Sequence, residues 1–322
     1  MSVNRREFLA GTAAAGLGVA LASEGRAAEA PAAKPEARLR ISCQEGFIPG
    51  KSLEEKLDKL EQWSIDGLEI GGAMGREESL PKALEGRRVK VSAVCMGALG
   101  GKLVCPDAEE RKKAAENFKR QLTAAGAVKS TGCIYVPCFN GEQKLPNKEV
   151  RKILLDMIPE IGEHAKQAGT RVLLEPLNRG EAYFLRQLAD AAAICRDAKS
   201  EGVCMMGDFY HMSREETNNM AAFVAAGKYL HHIHLASYSR VLPGQDAGEP
   251  LPEAPPMGLT FVHEGSMAKS PDRYTFIEGF RGLKIIGYHD FMSFECGCRG
   301  NKEEEVPKCT AFLREQWEMA KV

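Results

Sequence analysis

Eight strand-like runs, separated by amphipathic stretches, constrain this chain more than any other feature of it. The runs are Leu39 to Cys43, Gly67 to Ile70, Val89 to Met96, Cys133 to Phe139, Arg171 to Leu177, Val203 to Phe209, Leu230 to Ala236 and Gly287 to Glu295. Between and after them lie stretches of helical periodicity, at Ser52 to Gln62, Asp107 to Ala125, Lys148 to Ala168, Leu185 to Ala198, Arg214 to Ala226 and Glu303 to Ala320. Strand and helix signals in regular alternation predict parallel strands with helical crossovers. Eight of them in a row fit a single-domain (β/α)8 TIM barrel over residues 39–322 better than an open doubly wound sheet. No GxGxxG or P-loop follows the first strand. The glycine-rich Gly97 to Gly101 lacks the spacing of either phosphate motif and reads as a loop at the barrel rim.

The first 30 residues are expected to be an address rather than structure. Asn4-Arg5-Arg6-Glu7-Phe8-Leu9 precedes an apolar run from Ala10 to Ala22, and small residues at Ala27, Ala28 and Ala30 offer cleavage sites. This is the pattern of a bacterial twin-arginine signal. It implies the twin-arginine export machinery as a partner and the periplasm as destination. The apolar run is too short to span a bilayer stably, so no lasting membrane insertion is expected after cleavage. A Pro/Ala linker, 31–38, joins the signal to the barrel.

The remaining bulk features narrow the partner to a small molecule. The formal charge is −1 with both signs mixed along the chain, which leaves no basic stripe for nucleic acid. Ten cysteines are many for an exported protein, but Cys43, Cys95, Cys133, Cys138, Cys204 and Cys296 lie in or beside strand-like runs, where thiols pack as small hydrophobes. No CxxC pair with zinc-finger spacing exists. Cys296-Gly297-Cys298 is the one close pair, and a metal or redox role stands beside ordinary packing as its reading.

Four potential metal ligands sit at the ends of the last four barrel strands in sequence: Glu175 in RVLLEPLNR, Asp208 in CMMGDFYHM, His234 in HHIHLAS and Glu295 in FMSFEC. In a TIM barrel the C-terminal strand ends ring the active site. Three carboxylates and one imidazole suit one hard or borderline divalent cation, and Mn, Mg, Co and Zn are all compatible. His232 alternates with His234 and so points to the same face, deeper in the barrel, either as a partner of the ligands or as a hydrogen-bonded core residue. Glu69, at the end of the second strand, reads as a rim contact or as a structural group. His164 and His231 read as surface residues, and His263 and His289 as loop polar groups. Gln44, Glu45, Cys138 and Asn140 are further rim candidates from the first half.

From Arg171 onward the chain resembles the sugar isomerase and epimerase barrels that include D-tagatose 3-epimerase and the psicose epimerases, xylose isomerase-like barrels related to hydroxypyruvate isomerase and endonuclease IV. The resemblance rests on Leu174-Glu175-Pro176-Leu177-Asn178-Arg179 with Glu181, on Asp208 with His211, on His232-Ile233-His234 with Arg240, and on Phe294-Glu295-Cys296. It implies that Glu175, Asp208, His234 and Glu295 bind the divalent metal, and that Glu181, His211 and Arg240 contact the sugar substrate. Relatives commonly form dimers or tetramers, so a homo-oligomer is compatible with it.

The chemistry of those residues agrees. A proton on carbon beside a carbonyl leaves only if the enediolate is stabilised as it forms, and a chelating cation does this as a Lewis acid. Glu175 and Glu295 are the candidate acid/base pair, one taking a proton from one face and the other returning one to the opposite face. Arg240 and His211 can donate to the developing oxyanion, and Glu181 can hold a hydroxyl. The expected function is metal-dependent sugar epimerisation or isomerisation. A lyase or dehydratase acting on keto-sugars or keto-glycosides with the same site, and a noncatalytic periplasmic sugar-binding barrel, are the alternatives. An endonuclease-IV-type hydrolase needs histidines from earlier strands, and none precedes His164. A proline-rich segment, 245–271, is longer than the matching loop of the compact ketose epimerases and directs substrate choice toward an unusual sugar or a keto-glycoside.

Overall fold

The computed structural model describes residues 35–142, 144–246 and 275–322. The expected signal, the first part of the linker and the proline-rich segment beyond Asp246, with His263, lie outside the described residues.

Eight parallel strands close into a barrel in sequence order: β1 (Arg40–Gln44), β2 (Gly67–Ile70), β3 (Lys90–Gly97), β4 (Cys133–Tyr135), β5 (Val172–Leu174), β6 (Val203–Asp208), β7 (Leu230–Leu235) and β8 (Phe291–Phe294). β8 returns to β1, with Arg40 opposite Phe291 and Cys43 opposite Phe294. Around them run α1 (Leu53–Gln62), α2 (Ser79–Ala83), α3 (Ala108–Ala127), α4 (Asn147–Gln167), α5 (Leu188–Ala198), α6 (Phe209–Glu215), α7 (Asn219–Ala226), α8 (Ile277–Ile286) and α9 (Lys302–Met319). Side-chain caps start several of these helices. Ser52 accepts from the Glu55 amide, Asp107 from Glu109 and Glu110, and Asn301 from Glu303. Each satisfies amides that the first turn leaves without intrahelical partners.

Between barrel and helices lies the main core, built on residues such as Leu57, Leu68, Phe118, Leu154, Phe223, Phe280 and Phe294. A smaller apolar cluster, Ala93, Ile134, Leu173, Cys204 and Met206, fills the barrel interior from β3 to β6. Where β6 approaches α4 the packing is so close that a Cβ on Gly202 would lie 1.9 Å from the Gly162 carbonyl oxygen. Only glycine fits there.

The strands read to Phe139 and Leu177 end earlier, at Tyr135 and Leu174, and two further boundaries differ for a clear local reason. The helix read from Arg214 to Ala226 is two, α6 and α7, because Glu216 leaves the helical region (ψ 149°) and Asn218 starts a new cap on the Ala221 amide. The strand read from Gly287 starts only at Phe291, since Gly287 takes a left-handed φ of 71° as the C-cap of α8.

Candidate functional site

Strand alternation builds the site. In β5 through β8 the inward-facing series run Leu173–Glu175, Cys204–Met206–Asp208, His232–His234 and Ser293–Glu295, so each expected ligand is the last member of an inward series at the C-terminal rim. A bulge between β6 and β7 places two β7 steps, Leu230 to His232, against one β6 step, Met205 to Met206. Asp208 is thereby brought beside His234. One ligand atom from each of Glu175, Asp208, His234 and Glu295 lies within 4.8 Å of the others.

The orientation of these groups is what a cation needs. Asp208 caps α6 with Oδ1, which accepts from the Tyr210 amide at 2.7 Å, and its Oδ2 is left buried without a hydrogen bond among the described residues. His234 turns Nε2 toward both oxygens of Glu69, at 3.2 and 3.1 Å. Its Nδ1 faces Glu175 at 3.6 Å, Asp208 at 3.9 Å and Glu295 at 3.1 Å, with hydrogen-bond geometry to none of them. An imidazole nitrogen and carboxylate oxygens converging on one point, with Nδ1 and Asp208 Oδ2 left without a hydrogen bond, fit a divalent cation at their centre.

Electrostatics agree. Burial disfavours a charged His234, but Glu295 and Glu69 outweigh it and push its proton affinity well above the ordinary value. The same field draws in a cation. Burial raises Asp208 to about 7 against the pull of Arg240, and it raises Glu175 as well. For Glu295 burial is overcome by His234 and Arg240, which hold it down at about 2.

Around this cradle stand the three expected substrate residues. Arg240 donates from Nη2 to Glu295 Oε2 at 2.6 Å, and its Nη1 lies 3.4 Å from His211 Nε2. It adopts a left-handed φ of 55°, unusual for a residue with a Cβ, and its carbonyl accepts the Gly297 amide at 2.8 Å. The His211 Nδ1 accepts the Asn178 backbone amide at 3.2 Å, which places the proton of the neutral ring on Nε2, toward Asp208 and Arg240. Burial and Arg240 keep His211 neutral by lowering its pKa well below the usual value. Asn178 also donates to Glu181 Oε1 at 2.9 Å. Asn178 lies within the strand-five motif, and no role was assigned to it from sequence; in the structure it orients both His211 and Glu181.

Other expectations sort differently. Glu69 does not reach the rim; it is buried under the cradle, hydrogen-bonded to His232 as well as His234. His231 is no free surface residue but pairs with Asp290 at 2.7 Å, and His164 bridges to Thr123 and the Lys119 carbonyl. Of the first-half candidates Gln44 reaches the site, whereas Glu45 is spent on Arg76, Asn140 bonds the Arg179 carbonyl, and Cys138 is buried in the main core. Cys296 and Cys298 are free thiols and join no group of possible metal ligands among the described residues.

A closed parallel barrel with a carboxylate–imidazole cradle at its C-terminal rim is the architecture of a cation-dependent barrel enzyme. Residues 57–316 match the family model described as xylose isomerase-like TIM barrel. The chain belongs to that family, and in class it is an isomerase. It is 28% identical over 221 residues to 3-dehydro-D-guloside 4-epimerase of Escherichia coli (strain K12), covering 64% of this chain and 82% of that one. D-psicose 3-epimerase of Enterocloster bolteae is 35% identical over 86 residues, 27% of this chain and 29% of that relative. Among solved structures, the apo form of 3-keto-D-glucoside 4-epimerase from E. coli superposes with a TM-score of 0.70 at 23% identity, covering 86% of this chain and all of that one. That last likeness is one of fold.

Proposed function

We propose that this protein epimerises a keto-glycoside by moving a proton at the carbon next to its carbonyl, with one divalent cation, Mn, Mg, Co or Zn, held by Glu175, Asp208, His234 and Glu295. The observation that carries the reading is the unsatisfied centre of the cradle, where Asp208 Oδ2 and His234 Nδ1 converge without a hydrogen bond among the described residues and two glutamates flank them. When bound, the cation supplies Lewis-acid polarisation of the substrate carbonyl. Glu175 and Glu295 come from β5 and β8, with β6 and β7 between them, and so approach the centre from two directions. One carboxylate takes the proton from one face of the substrate carbon; the other delivers a proton to the opposite face. His211 Nε2–H and the Arg240 guanidinium donate to the oxygen on which negative charge develops. Glu181, held by Asn178, accepts from a substrate hydroxyl.

A keto-glycoside rather than a free ketose is supported by the E. coli relative, whose name specifies a 3-dehydro-guloside and most of whose length the chain matches. The test is proton exchange in deuterated water. Cation-loaded protein is expected to place deuterium beside the carbonyl of 3-keto-glucosides faster than in D-psicose or D-fructose. Absence of exchange with every one of these, while one cation per chain is bound, refutes the reading. Export by the twin-arginine route to the periplasm belongs to the same proposal, supported by Arg5-Arg6 and the apolar run behind them. Retention in the cytoplasm of a chain with both arginines intact speaks against it.

A further inference from the structure

We propose that Glu69, beneath the cradle, and Gln44, at its edge, act as a positioning pair, fixing His234 as an Nδ1 ligand and extending that alignment to Glu295. The inference rests on the cation-dependent reading above. It concerns β1 and β2, which supply none of the four ligands.

Glu69 is an anion wholly enclosed by the barrel, a position whose desolvation cost is large unless donors surround it. Three side chains do so. His232 Nε2 lies 2.8 Å from Oε2, Gln44 Nε2 donates to Oε1 at 2.8 Å, and His234 Nε2 spans both oxygens. An ionised carboxylate only accepts, so each nitrogen facing it must carry the hydrogen. Nδ1 is therefore the one nitrogen of each ring able to offer a lone pair to a cation. For His234 that lone pair points to Glu175, Asp208 and Glu295. A carboxylate behind a metal-binding imidazole fixes its tautomer and ring plane and raises its basicity.

Gln44 carries the alignment sideways. β1 pairs with β8 at Cys43 and Phe294, so the next residues, Gln44 and Glu295, are neighbours on the rim. The same Gln44 Nε2 that donates to Glu69 also donates to Glu295 Oε1 at 3.2 Å. With Arg240 on Oε2, both oxygens of Glu295 are held and its carboxylate plane is set.

The same atoms allow one competing use. Glu69, His232 and His234 also lie close enough to hold an ion between them. A neutral imidazole offers a single lone pair, so a cation at His234 Nε2 would require the proton on Nδ1, facing three carboxylates of the upper cradle. The two clusters therefore share one cation, not two.

The experiment measures Mn²⁺ and Co²⁺ binding to the intact protein by calorimetry and by Co²⁺ absorption, for the wild type, Glu69→Gln and Gln44→Leu. One cation per wild-type chain is expected, with Glu69→Gln keeping that stoichiometry, binding 10–100-fold more weakly and shifting the Co²⁺ bands. Gln44→Leu is expected to bind a few-fold more weakly and to lower kcat for proton exchange with KM little changed, the signature of a misaligned Glu295 rather than of a weakened fold. Two cations per wild-type chain, or Glu69→Gln binding within twofold of wild type, overturns the positioning role. Should Glu69→Gln not fold, Gln44→Leu decides: unchanged affinity and unchanged kcat overturn it. A wild type that binds no cation refutes the functional reading itself, and the positioning role with it, whereas tight binding by both wild type and Glu69→Gln refutes only the positioning role.

Discussion

Beneath the four rim ligands the two flanks of the barrel interior are made of different material. Under Glu175 and Asp208 lie Leu173, Cys204 and Met206, joined by Ile134 and Ala93. Under His234 and Glu295 lie His232 and Ser293, joined by Glu69 and by Ser42 and Ser92, whose hydroxyls meet at 2.5 Å. On the first flank, among the described residues, no side chain below donates a hydrogen bond to Glu175 or Asp208; packing places them, helped for Asp208 by the amide of the helix it caps. On the second flank they are placed by directed bonds, which fix a ring plane and a tautomer as well as a position. The difference teaches that one site can be preorganised by two mechanisms, with different costs when each is disturbed.

The largest expected effect joins the flanks at their top. Glu175→Gln and Glu295→Gln, one on each flank, should each slow proton exchange about a thousandfold, measured by deuterium incorporation. A loss confined to one of them breaks the idea of a two-sided acid/base pair. Next, Leu173→Ala should cost about 3 kcal/mol of stability through the cavity it leaves, read by denaturant unfolding, while cation affinity stays within a few-fold of wild type. If affinity instead falls as far as in Glu69→Gln, the apolar flank is also a device for orientation and the contrast fails. Chelation should then remove about 2.7 kcal/mol from protein held at a hundredfold excess of cation over Kd, seen as a lowered Tm; Asp208→Asn should show little further fall on chelation. The smallest effect lies off both flanks. The His231 bond, against the opposing effect of burial, holds Asp290 below its ordinary value. A depressed carboxylate stabilises the fold above its unfolded pKa of about 4 and loses that contribution as pH falls through the folded value. His231→Ala should accordingly cost about 1 kcal/mol at neutral pH and progressively less in acid, with cation binding untouched.

The apolar flank and the ligands were more legible in the sequence than the polar one. Period-two alternation places Glu175, Asp208, His234 and Glu295 on one face whatever surrounds them, and eight such runs name the barrel. Partner choice is harder to read. Glu69 meets residues 163 and 165 positions away, and Gln44 meets Glu295 across 251, because barrel closure rather than local pattern brings them together. Asn178 was hidden for a similar reason, since its use depends on His211 in α6, beyond the next strand. The break between α6 and α7 escaped periodicity because Arg214 is an internal residue, its guanidinium stacked on Tyr210 and Tyr238 where a charged side chain would ordinarily mark a solvent face. Short α2 carries too little pattern to be read at all.

The closure of β8 onto β1 also sets an order of events in the life of the molecule. Glu295 is the last of the four ligands to be synthesised, and it comes into place only when its strand has inserted between β7 and β1. A nascent chain that has made Glu175, Asp208 and His234 owns three quarters of a cradle with no wall on one side and no Arg240–Glu295 contact to hold it. The four-ligand cradle is thus complete only once β8 has closed the barrel.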